Sequence, residues 1–468
     1  MPTGELNFFK ILVIREQNNK TRLTLNNSGD IILVSPEFKN QKMMNYQSRR
    51  NFLKNTGILS AAYLLSNSVA CAAAIAEKRN MTILLVSGWQ DVNIGDIAHT
   101  PGLLHVLETF MPMSKIILWK RSNGEEVKKL LNKNFPKVKI IYGGVDTEKN
   151  VSNPEIMEAF KEADIMIHGS GPGLIGADNL ASWIKHTSKP FGVFGTTLQS
   201  PSEYHTGILK KASFIFTRET NSIDHLKKAG ISGDHVAFAP DATFFLDIQD
   251  KEKADQFLKE NGLEDKKFIC AVPRLRYTPY HIYGTAKWSE EKIREVEETN
   301  AKYKEQDHAK LREAMIAWVR ETKQKVLVCP EMTYQVDIMD ELLIDPLPED
   351  VKPYIVKRGY WLPDEAASVY AKAHTVLSFE CHSPIIAAAN GTPMFYLRQP
   401  EDTIKGQMYY DLGFNDWTFE INQTTGKQIT DRLREIWKDY DKAKAKLTVS
   451  MNKVDEIYKE RCKFLQSV

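Results

Sequence analysis

The sequence is poor in the features that assign a protein quickly. It has five cysteines in 468 residues, and none forms a CxxC pair or a zinc-type spacing. No metal site and no cofactor are expected. The formal net charge is only +2, and no block of like charge stands out. That excludes broad electrostatic capture of nucleic acid or of an anionic surface. No run of about 20 strongly apolar residues occurs, so no stable membrane span is expected in the mature chain. What remains is ordinary globular composition, 42% hydrophobic and 26% charged, with length for two or three domains. Cys270 and Cys329 lie in apolar strand-like runs and are expected as buried core thiols.

One segment near the start is distinctive. Ser48-Arg49-Arg50-Asn51-Phe52-Leu53-Lys54 reads as a twin-arginine export motif. A weakly apolar run, Thr56 to Ala76, follows and ends in Ala74-Ile75-Ala76, a small-x-small cleavage pattern. The expectation is a signal peptide over 43–76, export to the periplasm, and the twin-arginine translocase as a transient partner. Export signals begin close to the initiator, and Met43-Met44 is a natural start. Residues 1–42 are therefore expected to be an over-extended or disordered start.

From Met81 onward, short apolar runs read as strands at 81–87, 115–119, 138–142, 164–169, 191–195, 213–217 and 236–239, then at 268–272, 326–329, 354–356, 375–379 and 394–397, and they alternate with segments of helical period. This predicts an α/β fold of two Rossmann-like, doubly wound domains facing across a cleft. The expected boundaries are 77–246 for the first domain, 247–265 for a charged helix and linker, 266–424 for the second domain and 425–468 for terminal helices. The charged stretch Glu290–Gln324 is expected as an exposed helical insertion or two helices.

In such sheets ligands bind at the carboxyl ends of the strands. Five strand ends carry unusual residues. The first holds Asn93, Gly95 and Asp96 at a helix start, where backbone N–H groups can take an anion; Asp96 is either a site residue or only an N-cap. The second is His168-Gly169-Ser170-Gly171-Pro172-Gly173, with Gly169, Gly171 and Gly173 allowing close ligand approach or merely a tight turn. The third is Arg218, with Pro240-Asp241 at a similar position on the next strand. The fourth is Arg274 and Arg276, suited to an anionic group. The fifth is Glu380-Cys381-His382, a plausible acid/base pair.

Taken together, these segments resemble the polysaccharide pyruvyl transferase family. The resemblance runs from about Met81 to Trp417 and rests on Asn93–Asp96, Ala163–Gly173, Arg218–Ser222, Pro240-Asp241 and His382–Pro393. It implies a glycosyltransferase-B-like protein that moves a pyruvyl group from phosphoenolpyruvate to hydroxyls of a glycan acceptor. His382, Glu380 and Asp96 would then be catalytic. Asn93, Gly95, Gly169, Gly171, Gly173, Arg218, Asp241, Arg274 and Arg276 would bind substrate or donor.

The family typically has Arg-x-His where this chain has Glu380-Cys381-His382. A carboxylate facing an anionic donor is repulsive, about 4 kcal/mol per charge pair at 4 Å and an effective dielectric near 20. Arg218, Arg274 or Arg276 would have to compensate. Two other functions fit the same residues. One is a glycan-cleaving or glycan-modifying enzyme using Glu380 and His382 as acid and base. The other is a non-catalytic glycan-binding protein.

Overall fold

The computed structural model describes residues 80–283 and 286–468, and the backbone of three strands nearer the start. Those strands, β1 (Val13–Glu16), β2 (Asn19–Leu25) and β3 (Ile31–Val34), form a small antiparallel sheet. It falls within the 1–42 segment, and says nothing of where translation begins. The twin-arginine motif and the apolar run behind it lie outside the described residues.

The first large sheet contains β4 (Thr82–Ser87), β5 (Lys115–Lys120), β6 (Lys139–Ile141), β7 (Ile165–His168), β8 (Phe191–Thr196), β9 (Phe214–Thr217) and β10 (Val236–Phe238). All pairs are parallel, in the order β10-β9-β8-β7-β4-β5-β6. Residues alternate between two cores. Ile83 and Leu85 of β4 face one, and Leu84 and Val86 face the other. Burial on both faces is why these strands read as continuous apolar runs.

The second sheet contains β11 (Phe268–Val272), β12 (Lys325–Val328), β13 (Ile355–Lys357), β14 (Thr375–Ser378), β15 (Met394–Arg398) and β16 (Thr418–Glu420). It too is parallel, in the order β13-β12-β11-β14-β15-β16. In each sheet the order reverses beside the first strand. The two reversal points, β4/β7 and β11/β14, carry Asn93 and the glycine loop on one side and Arg274 and His382 on the other.

One feature differs from expectation. Glu290–Thr322 is one continuous helix of 33 residues, and it is no exposed insertion. Its buried side includes Val296, Leu311, Met315 and Trp318, but also Asp307, His308 and Arg312. Those polar members hid the apolar stripe, because each is buried only by virtue of a partner elsewhere. The helix expected within 247–265 is Lys251–Glu260, and Ala254 and Leu258 within it belong to a core shared with the second domain.

The final helix, Tyr440–Leu465, returns to the first domain. There the Tyr458 hydroxyl donates to the Asp241 carbonyl at 2.6 Å, and Arg461 Nε donates to the Phe238 carbonyl at 3.0 Å. Among the described residues no helix is long and apolar enough to cross a membrane.

His308 ties the long helix to the second sheet. Its Nδ1 bonds the Lys304 carbonyl at 2.6 Å, and its Nε2 accepts the Arg274 N–H at 3.3 Å. The ring is therefore the neutral Nδ1–H tautomer. Burial drives its pKa from 6.5 down to about 4. Below pH 6.5 the unfolded chain takes a proton that the folded chain refuses until about 4. Stability present above 6.5 is thus lost as the pH falls through this window, by about 1.4 kcal/mol per pH unit for one proton. Urea unfolding from pH 7 to 4 should show this slope, and His308→Gln should reduce it by one proton.

Candidate functional site

The chain after β4 turns at Asn93 into the helix Ile94–Phe110. Asn93 is extended and its side chain caps the helix, accepting from the N–H groups of Gly95 at 2.7 Å and Asp96 at 3.3 Å. The Ile97 N–H reaches the Asn93 carbonyl at 3.0 Å, and the Ile94 N–H reaches the Glu331 carbonyl at 2.9 Å. The first-turn donors expected to hold an anion are thus all occupied by protein acceptors. Asp96 is buried, and its carboxylate accepts from the Gln90 amide.

From the second domain comes Glu331, which sequence reasoning missed. It follows β12 in Pro330-Glu331, the counterpart of Pro240-Asp241 in the first domain, and that repeated Pro-acid pair was the available signal. Glu331 is fully buried. One of its oxygens accepts from the backbone N–H groups of His382 at 3.1 Å and Ser383 at 2.5 Å, and from the Ser383 hydroxyl at 2.8 Å. Its other oxygen meets His382 Nδ1 at 3.2 Å. It therefore caps the helix His382–Ala389 and fixes the imidazole at the same time.

Across the domain boundary His382 lies against Gly95, where a Cβ would fall inside the imidazole. Its Nε2 is 3.6 Å from Asp241 Oδ2, too long for a hydrogen bond. Asp241 is fully buried and meets three groups. Arg218 NH1 donates to Oδ2 at 2.7 Å, His99 Nδ1 lies 2.9 Å from Oδ1, and the Thr243 N–H donates at 3.0 Å. His99, one turn beyond Asp96 on the same helix, was also missed. An acid and a histidine three apart at a helix start were the signal. Burial opposes charge on both His382 and Asp241, but their neighbours win. Asp241 and Glu331 hold the imidazole well above its ordinary range, and the histidines hold the Asp241 carboxyl well below its own.

The remaining expected site residues have definite places. Arg218 is buried, with Nε on the Thr197 hydroxyl at 2.7 Å and Glu219 beside it at 3.8 Å. Arg274 reaches Glu380 at 3.3 Å through Nε and also pairs with Asp402. Arg276 forms a two-pronged pair with Asp307 at 2.8 and 2.9 Å and stacks 3.6 Å over Tyr303, bracing the long helix. Gly169 and Gly171 make their closest approaches to Ser87 and Trp89 of their own domain, and Gly173 has open space around it.

Glu380 and His382, expected as an acid/base pair, have different partners. Glu380 accepts from the Gln335 amide at 2.6 Å and pairs with Arg274, whereas His382 is held by Glu331. The reason is local. Glu380 still belongs to the strand end, while His382 is the first residue of the next helix. Burial pushes the Glu380 carboxyl up to about 7 against the pull of Arg274. The carboxylate at Glu380 is met by Arg274 from the neighbouring strand, since β11 pairs with β14.

The polysaccharide pyruvyl transferase profile matches residues 93–399. The chain belongs to that family. The matched span opens at Asn93 and includes Asp96, Arg218, Asp241, Glu331 and His382. The comparison with curated proteins gave no match. Among solved structures, a UDP-N-acetylglucosamine 2-epimerase is similar at TM-score 0.53 and 14% identity, covering 82% of this chain and 94% of its own. The UDP-GlcNAc 2-epimerase of Neisseria meningitidis bound to UDP-GlcNAc gives 0.51 and 12%, covering 83% and 100%. HepE of Anabaena in complex with UDP-glucose gives 0.51 and 11%, also covering 83% and 100%. At such identity the likeness is one of fold. It agrees with two Rossmann-like domains in the glycosyltransferase-B arrangement.

The contact between Gly95 and His382 has a measurable consequence. Alanine normally stabilises a helix relative to glycine by about 1 kcal/mol. Gly207, in a helix with open space around it, should show that gain. Gly95→Ala should instead destabilise by about 1–3 kcal/mol, because the imidazole must shift. Paired denaturation curves for the two variants check this.

Proposed function

We propose that this family member transfers a pyruvyl or related group to hydroxyls of a cell-surface or periplasmic glycan, in the cleft between the two sheet reversal points. The observation that carries the reading is His382. This residue of the family motif is buried between residues of both domains, its Nδ1 is fixed by Glu331, and its Nε2 has no hydrogen-bond partner. An imidazole anchored at one nitrogen and unused at the other is arranged to meet a reacting group.

The family reaction forms a ketal from phosphoenolpyruvate and two sugar hydroxyls. Two C–O bonds form at the enol carbon, the phosphate C–O bond breaks, and the methylene carbon gains a proton. The two hydroxyls lose two protons, one matching that carbon's gain and one leaving with phosphate. Asp96 is the carboxylate suited to receive a hydroxyl proton, since its side chain keeps 12% exposure while Gln90 orients it. His382 Nε2 meets the donor end. Phosphoenolpyruvate remains a proposed donor, because the arginines at these strand ends already serve carboxylates. The Glu380/His382 cleavage reading has less support, as the two side chains do not pair.

Full-length protein incubated with phosphoenolpyruvate and a panel of bacterial glycans should release phosphate and yield a pyruvate ketal detectable by mass spectrometry. His382→Ala should lower turnover by about 10²–10⁴-fold, the usual range for a proton-moving or electrophilic side chain. Equal rates in the two proteins would remove His382 from the reaction, and no ketal on any glycan would remove the pyruvyl reading.

Export through the twin-arginine route is part of the same proposal, supported by Ser48–Lys54. Arg49→Lys with Arg50→Lys should leave the protein in the cytoplasm, read by cell fractionation. Unchanged periplasmic yield would refute it.

A further inference from the structure

The site has a surplus of negative charge that its arginines do not cancel. Around His99 and His382 stand the carboxylates of Asp96, Asp241 and Glu331, against one guanidinium, Arg218. Within this group His99, Asp241 and His382 each offer a ligand atom, and the three atoms lie within 4.8 Å of one another. All three residues are buried, and Nε2 of both histidines lacks a hydrogen-bond partner. Buried polar atoms without partners are uncommon, and two imidazole nitrogens left so beside a buried carboxylate suit a shared cation.

We infer that His99, Asp241 and His382 bind a divalent transition-metal ion. Two imidazoles and one carboxylate are a donor set that suits Zn²⁺ and its first-row neighbours, with coordination positions left open. Ligands about 2.0–2.2 Å from a shared ion lie about 3–3.5 Å apart. His382 Nε2 and Asp241 Oδ2 are 3.6 Å apart, so a small contraction closes the set. The supporting shell already exists. Glu331 holds the far nitrogen of His382, the carboxylate–histidine arrangement that orients metal ligands. Arg218 occupies one lone pair of Asp241 Oδ2 and leaves the other.

The ion deepens the transferase reading, and what it would do there rests on that reading: with Nε2 of His382 on the metal, that residue would meet the donor through the ion as electrophile and would move no proton. Its charge would offset the surplus carboxylates, and an open position would take a phosphate or carboxylate oxygen of the donor. Binding itself does not depend on the reaction.

The test is metal binding by untagged full-length protein, stripped with chelator and titrated with Zn²⁺ by calorimetry, with Co²⁺ as the spectroscopic probe. One equivalent should bind, and Co²⁺ should give visible absorption of a site with nitrogen ligands. His99→Ala and His382→Ala should each weaken Zn²⁺ binding at least 100-fold, and Glu331→Gln about tenfold. Failure of the wild-type protein to bind one equivalent would overturn the proposal, as would binding unchanged in both histidine variants, which would place the metal elsewhere. If a variant does not fold, pulsed electron resonance of the Cu²⁺-loaded wild-type chain decides. Two coordinated imidazoles support the site, and none overturns it. Metal binding without ketal formation would leave the ion in place and remove only its assigned use.

Discussion

The buried carboxylate of Glu331 is the constraint on which the site depends. It satisfies two N–H groups at a helix start, a serine hydroxyl and an imidazole, while its own carbonyl receives the Ile94 N–H of the other domain. An ionised side chain so deep in protein is tolerable only when fully bonded. Here the bonds are complete, so the charge fixes three things at once: the start of the His382 helix, the ring orientation, and the approach of the two domains. Gly95 permits that approach, because only a residue without Cβ can lie against the His382 ring.

A second layer of pairs surrounds this point. Arg218 faces Asp241, Arg274 faces Glu380 and Asp402, and Arg276 faces Asp307. Each guanidinium has protein partners, so these arginines act as struts that aim carboxylates and backbone. The last helix adds to this by gripping the Asp241 carbonyl through Tyr458. The last helix thus helps to position Asp241.

Glu380 is settled within this layer of pairs. The acid is drawn to Arg274 on the adjacent strand and to Gln335, away from His382. The carboxylates nearest His382 are those of Asp241 and Glu331. That balance is the ground on which a cation is proposed for this site.

Much of this was legible along the chain. Apolar runs buried on both faces marked twelve of the thirteen strands of the two sheets to within a few residues, because a parallel strand must be apolar whichever face a residue takes. The missed strand, Thr418–Glu420, is short and half polar at the sheet edge. Asn93, Asp96, Arg218, Asp241 and His382 were recognisable as strand-end residues, since topology alone sends strand ends to the cleft. What the sequence could not decide was pairing. Glu331 and His99 lie 51 and 283 residues from His382, and nothing local distinguishes an arginine aimed at a ligand from one aimed at a buried carboxylate. Linear order determined the fold and the identity of the strand ends. Only the closing of two sheets on one another decided which charges meet, because buried charges must find partners wherever the packed chain brings them.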